Sequence, residues 1–268
     1  MTSTAAASIL GLVQGLTEFL PVSSSGHLII TSALLDLTDD RMKTFEVVIQ
    51  LGSILAVVVL YWPRFMALLD FSGKRPFSGL RGLYLLFLTC LPASVIGLLL
   101  HDYIKAWLFT PQSVAAALAV GACFIFFAER RADLRHKAPA AVSVDDISPG
   151  LALGIGCFQC LSLWPGFSRS TSTIMGGMLL GADRKAAAEY SFLAAVPIMV
   201  AASGLSLWKD AALLGKDDLS FFLVGMAVSF VASLAAIKVL MRIISSISFR
   251  PFAWYRLCVA PLVIWFWS

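Results

Sequence analysis

The stretch QGLTEFLPVSSSGHL, residues 14–28, starts inside one apolar run and ends inside another. Between the two lie Glu18, Pro21, the consecutive serines Ser23, Ser24 and Ser25, and His27. Backbone and side-chain polar groups at membrane depth need partners, so non-helical chain there is tolerated only where protein or a water-filled cavity covers it. The segment 5–36 therefore reads as a broken or re-entrant helix rather than a plain span. The rest of the chain supports a membrane setting. Its 268 residues are 59% hydrophobic and 13% charged, with a mean hydropathy of +0.87. Soluble domains carry about 25% charged and about 45–50% apolar residues. The net charge of +4 is spread over loops without a basic run, so nucleic acid is not an expected partner. Residues 1–8 lack the basic start of a signal peptide, and none is expected. The five cysteines lie in apolar stretches and read as small packing residues. The Cys157/Cys160 pair has no second pair or nearby His to make a zinc site.

Six clear spans are expected near 44–62, 82–100, 111–128, 187–208, 219–240 and 252–268, with a second broken segment at 149–181. Loops 63–81 and 129–149 hold four basic residues each, and linkers 182–186 and 241–250 hold two each. The positive-inside rule makes these cytoplasmic. The first broken segment then enters from outside and the second from the cytoplasm. The two also resemble each other: GLVQGLTEFLPVSSS (11–25) matches GCFQCLSLWPGFSRS (156–170) with one gap, and Glu46 parallels Glu189. The expectation is an all-α polytopic protein, one membrane domain over 1–268. It is built of inverted-topology repeats over 1–128 and 149–268, whose broken helices meet near the midplane.

The second broken segment carries PGFSRSTST, 165–173, centred on Arg169. A guanidinium within the membrane marks a functional site by default, and its fork matches phosphate or carboxylate oxygens. Ser168, Ser170, Thr171, Ser172 and Thr173 surround it with donors, at the start of an apolar helix whose N–H groups favour anions. The plainer reading pairs Arg169 with Glu18 as structural glue. The first cluster adds a candidate nucleophile in Ser24, flanked by Ser23. His27 is a candidate acid or base, and Glu18 could orient it or hold a divalent cation. Gln14 shares the Glu18 face if the segment is helical. Glu46 and Glu189 read as structural, with Gln50 one turn beyond Glu46, and His101 and His136 as loop residues without a role.

These residues resemble the undecaprenyl pyrophosphate phosphatase family, also known as bacitracin-resistance proteins. The motifs are [EQ]xxxE followed by PVSS[ST]GH, here Gln14 to Glu18 and 21–27, and PGxSRSxxT, here 165–173. KTFEVVIQLGSILAVVV (43–59) and ISFRPFAWYR (247–256) are similar to the family as well, so the likeness spans the chain. The resemblance implies hydrolysis of a C55 polyisoprenyl diphosphate to its monophosphate in the bacterial plasma membrane, at a site opening to the periplasm. This recycles the lipid carrier of peptidoglycan synthesis and confers tolerance to bacitracin, which sequesters the diphosphate. It also implies a divalent cation, Mg²⁺ or Ca²⁺. By motif, Glu18, Ser24, His27 and Arg169 take catalytic positions. Ser23, Ser168, Ser170, Thr173 and Gln14 take substrate-binding ones, and Glu18 is the metal ligand. Gln14 stands where many members have Glu, which leaves Glu18 to carry more of that role.

The expected reaction has Ser24 attacking the terminal phosphorus, His27 moving the proton, and Arg169 with Ser168 and Thr173 stabilising charge. A phosphohistidine on His27 is the alternative. The expected partners are the polyprenyl diphosphate and the bilayer, with a homodimer left open. A type-2 phosphatidic acid phosphatase would need a His after Arg169, and all three histidines precede it. A polyprenyl-phosphate transporter or flippase suits inverted repeats but does not call for a Ser-Ser-Ser-Gly-His run. A purely structural subunit would tolerate loss of Arg169 and His27.

Overall fold

A computed structural model of the chain describes residues 4–37, 40–73, 75–100, 103–135, 139–210, 218–244 and 246–267. His101 and His136 fall outside these. The described chain is helical, with no β-strand and only an isolated bridge between Ala141 and Ala182. The helices are α1 (Thr4–Thr17), α2 (Ser24–Leu34), α3 (Asp40–Val48), α4 (Gln50–Leu60), α5 (Trp62–Leu68) and α6 (Gly79–Leu99). Then come α7 (Pro111–Asp133), α8 (Pro149–Gln159), α9 (Arg169–Leu180), α10 (Arg184–Asp210), α11 (Asp218–Ile243) and α12 (Arg250–Trp267).

Among the described residues four helices are long and apolar enough to cross a membrane, within α6, α7, α10 and α11. A fifth crossing arises if Thr44–Leu60 and Trp62–Leu68 count together, though they bend by 83° at Tyr61. This differs from six plain spans in two places. The segment expected as 44–62 ends in a sharp corner because Pro63 cannot donate to the preceding turn, while Pro suits the first turn of the new helix α5. The segment expected as 252–268 is helical as α12, but Arg250, Arg256 and its aromatic residues lower its apolar character. The broken segments are as read. One is α1 and α2 around a break at 18–23; the other is α8, a 3₁₀ turn (Cys160–Leu163) and α9.

Packing crosses between the chain's ends. α1 lies against α11, α8 against α6, and α7 against α12, while α2 touches α12 and α9 touches α7. The α1–α11–α4 contact is made by small residues. A Cβ on Gly11 would lie 2.4 Å from the Gly225 carbonyl oxygen, one on Gly15 2.5 Å from that of Ser229, and one on Gly52 2.2 Å from that of Met226. Helices in lipid gain little from burying apolar surface against each other, so close backbone approach and hydroxyl bonds do the work. Here the buried Ser233 hydroxyl donates to the Gly15 carbonyl at 3.1 Å and lies 2.9 Å from Ser53 Oγ, from which it can accept, and Ser53 pairs with Ser229 at 2.9 Å. The largest apolar cluster lies around Phe19, Tyr190, Phe192 and Met175, directly behind the two breaks. Cys123, Cys157 and Cys258 are exposed on the protein surface rather than packed inside it.

Candidate active site

Each break ends in a serine that caps the next helix. Ser23 Oγ accepts the Gly26 N–H, and Ser168 Oγ accepts the Thr171 N–H. Both serines hold positive φ, 73° and 79°, a region that costs a non-glycine residue about 1–3 kcal/mol and is kept only where surroundings enforce it. Gly166, at φ 96°, precedes the second cap, and a Cβ there would meet the Val114 carbonyl at 2.5 Å. The N-termini of α2 and α9 thereby converge on one pocket of about 270 Å³. Glu18, Ser23, Ser24, Ser25, Ser168 and Arg169 line it, with Gln50, Ser162 and an apolar wall of Ile198, Met199 and Ala202. The volume is below the roughly 300–1,000 Å³ of drug-sized sites, so it suits a headgroup rather than a whole lipid. Helix N-termini leave N–H groups unpaired and favour anions.

Glu18 is the hub. Its Oε2 accepts from Ser24 Oγ at 2.7 Å and from Gln14 Nε2 at 3.0 Å, and its Oε1 pairs with Arg169 Nη2 at 3.3 Å. Arg169 Nη1 donates to the Ser191 carbonyl at 3.2 Å and to Ser191 Oγ at 3.4 Å. The guanidinium also lies 5.7 Å from the Phe19 ring centroid. Among the described residues two buried atoms here have no partner, Arg169 Nε and Gln14 Oε1. A carboxylate on a serine hydroxyl, a cation beside it and two helix N-termini can bind an oxyanion and activate the hydroxyl toward it.

The remaining expected site residues fall around this hub. Ser170 Oγ donates to the Leu20 carbonyl at 2.9 Å and meets Ser168 Oγ at 3.0 Å, tying the second turn to the first. Thr173 is buried against Ser191 Oγ at 2.6 Å and the Arg169 carbonyl at 2.8 Å. It supports the arginine and does not line the pocket. His27 stands apart. Its Nδ1 is 2.7 Å from the Ser23 carbonyl and its Nε2 2.7 Å from the Tyr255 hydroxyl, with the two rings stacked. The expectation that Glu18 orients His27 is not matched, because the carboxylate's bonds go to Gln14, Ser24 and Arg169. Ser32 donates to Glu46, and Arg64 Nε donates to Glu189 at 3.2 Å, so both glutamates hold helices together. Sequence reasoning missed Ser191, for which no motif gives a signal, and Ser162. It also missed Arg256, whose presence in an apolar segment was such a signal.

The sequence has relatives among known proteins. The family model described as bacitracin resistance protein BacA matches residues 7–262. A protein of Maridesulfovibrio salexigens named undecaprenyl-diphosphatase is 59% identical over 268 residues, covering all of both chains. One of Nitratidesulfovibrio vulgaris with the same name is 60% identical over 266 residues, 99% of each chain. One of Lawsonia intracellularis, also so named, is 54% identical over 255 residues, 95% of each. The chain belongs to the bacitracin resistance protein BacA family.

Proposed function

We propose that this chain hydrolyses the terminal phosphoanhydride of undecaprenyl diphosphate, giving the lipid monophosphate and inorganic phosphate. The observation that carries it is the Ser24–Glu18–Arg169 constellation between two helix N-termini, in a pocket sized for a headgroup. Ser24 Oγ attacks the terminal phosphorus while Glu18, 2.7 Å away, takes its proton. The bond from that phosphorus to the bridging oxygen breaks, and the lipid phosphate leaves. Arg169 and the N–H groups at the starts of α2 and α9 hold the equatorial oxygens. Glu18 passes the Ser24 proton to the departing lipid phosphate. The carboxylate so restored deprotonates water, whose attack breaks the bond from phosphorus to Ser24 Oγ and releases phosphate, with Ser24 Oγ taking the proton back from Glu18. The engaged ring nitrogens of His27 favour Ser24 over a phosphohistidine. The reaction returns the carrier lipid to use and removes the form that bacitracin sequesters.

The resemblance implies a divalent cation, and the residues fit one of a particular kind. Glu18, the unpartnered Gln14 Oε1 and the Ser24 hydroxyl are hard oxygen donors. Among the described residues no three His, Cys, Asp or Glu side chains stand together as a metal-binding group. Such a set suits Mg²⁺ or Ca²⁺ completed by substrate phosphates and water, rather than an ion the protein holds alone. When bound, the ion supplies charge neutralisation at the phosphates.

Two further readings belong to this proposal. The reciprocal packing of α1 on α11 and α8 on α6, and the matched capping serines 23 and 168, support halves 1–128 and 149–268 related as an inverted repeat. The pocket faces the periplasm across the plasma membrane. With the basic linker 182–186 inside, Ile198 to Ala202 lie about 20–27 Å along α10 from its cytoplasmic start, past its midpoint. Gln50 sits near the opposite, outer end of its own span.

The test is phosphate release from polyprenyl diphosphate by the detergent-purified protein, with divalent cation and with chelator. Release that the chelator abolishes supports the reading. No release from folded protein with cation present overturns it.

A further inference from the structure

Arg256 has no place in the chemistry above, yet it is among the most completely enclosed side chains in the protein, with no exposed surface. It enters from α12, and among the described residues no carboxylate pairs with it. Its bonds go almost entirely to backbone carbonyls. Nε donates to Leu118 at 3.1 Å, and Nη2 to Ala117 at 3.2 Å, both in the first half of α7. Nη1 donates to the Pro21 carbonyl at 3.3 Å and to Thr171 Oγ1 at 2.9 Å. Nη2 also reaches the carbonyls of Gly166 at 3.1 Å and Phe167 at 2.9 Å.

The choice of carbonyls is informative. Pro21 lies two residues before the capping Ser23, and Gly166 and Phe167 directly precede the capping Ser168. Thr171 is in the first turn of α9. One guanidinium therefore holds both breaks against the same stretch of α7, where Gly121 leaves room for it. A buried cation is costly in such a place, and simple helix packing would be served by an apolar residue. A guanidinium differs in offering five N–H donors in a rigid plane, enough to fix several carbonyl directions at once. In a trans peptide the carbonyl and the next N–H point opposite ways. Holding the Phe167 carbonyl thus fixes the direction of the Ser168 N–H at the pocket's edge. The positive φ of both caps needs surroundings that enforce it, and Arg256 is a shared part of those surroundings.

We propose that Arg256 is a positioning residue for the phosphatase reaction, locking the two strained turns in mutual register so that Ser24 and Arg169 face one phosphate. This rests on the phosphatase reading above. Two variants test it in the full-length protein. Arg256→Lys keeps the charge but cannot span both turns and α7. Gly121→Ala keeps the arginine but places a Cβ 2.1 Å from its Nη2, displacing the plane, while adding helix propensity to α7. The measurements are thermal unfolding, phosphate-release kinetics, and hydrogen exchange of peptides covering 18–27 and 163–173 against those covering α6.

The expected result is a folded protein whose kcat falls about 100-fold, the scale of an ångström-level misplacement, with kcat/KM falling in parallel. Exchange should rise in the two turns and stay as in the parent along α6. Parent-like kcat in either folded variant overturns the proposal, as does protection lost evenly across the protein. If Arg256→Lys does not fold, Gly121→Ala decides alone. Failure of both to fold makes Arg256 a folding determinant and overturns the positioning role. A parent that releases no phosphate sinks the phosphatase reading, and the exchange arm still reports whether Arg256 holds the turns.

Discussion

Replacing Arg169 by Lys separates charge from geometry at the site. The guanidinium reaches Ser191 through Nη1 and Glu18 through Nη2, while Nε is buried without a partner. A lysine has one nitrogen. It can keep the Glu18 contact or the Ser191 anchor but not both, and it cannot present a fork to a phosphate. The loss is then one charge-assisted hydrogen bond to the transferring group, about 1.5–3 kcal/mol. At a factor of ten for each 1.36 kcal/mol, kcat/KM should fall roughly 10- to 150-fold. Stability should change far less, because a cation still faces Glu18. Arg169→Met, which strands the buried carboxylate, should instead cost about 3–5 kcal/mol. Initial rates of phosphate release and a thermal scan in detergent measure both quantities. A folded Arg169→Lys protein with parent kcat/KM would refute the view that the fork binds the reacting phosphate, leaving Arg169 as a counter-ion only.

Other outcomes follow from the same contacts. Glu18→Gln should lower kcat by about 10²–10⁴, the range of a positioned base. Ser24→Ala should lower it at least as far, and the double variant should be no worse than Ser24→Ala, since the two act as a unit; additive losses would separate their roles. His27→Phe keeps the stack on Tyr255 but loses two hydrogen bonds. It should cost about 1–3 kcal/mol of stability and reduce kcat much less than Ser24→Ala, whereas an equal reduction would bring His27 into the chemistry. Gly52→Ala sets a Cβ against the Met226 carbonyl, and the unfolding temperature should drop by the equivalent of about 1–3 kcal/mol; an unchanged temperature would show that α4 and α11 part without cost.

The breaks were legible because their residues contradict their surroundings. Pro21 and Pro165 cannot continue a helix, and Glu18, the serines and Arg169 cannot be left in lipid unpaired. The pairing of Glu18 with Arg169 followed from charge alone. Among the described residues His27 makes no bond to Glu18, for a different reason. It lies three residues from Ser24, but on α2 that spacing carries its ring to Tyr255, which is 228 residues away in sequence. The corner at Tyr61 was signalled by Pro63, yet the unbroken apolar run before it dominated the reading. Ser191 carries no local signal, because its role exists only once α10 lies beside α9. Arg256 was hidden by its neighbours, whose apolar character suggested an ordinary closing span.

The contact of α1 with α11 has a mechanical consequence. An element from the chain's beginning is interlocked with one from its end at two glycine-sized notches, Gly11 and Gly15, Gly52 of α4 makes a third against the same α11, and α8 is seated on α6. The N-terminal and C-terminal portions therefore cannot swing past each other as two rigid blocks. Such a swing would pull apart these close main-chain approaches and the Ser53–Ser229–Ser233 hydroxyls with them. Motion that admits a lipid headgroup has to be smaller in scale, a yielding of side chains and of the short helix starts around the pocket. The scaffold is closer to a fixed vise with adjustable jaws than to a hinge.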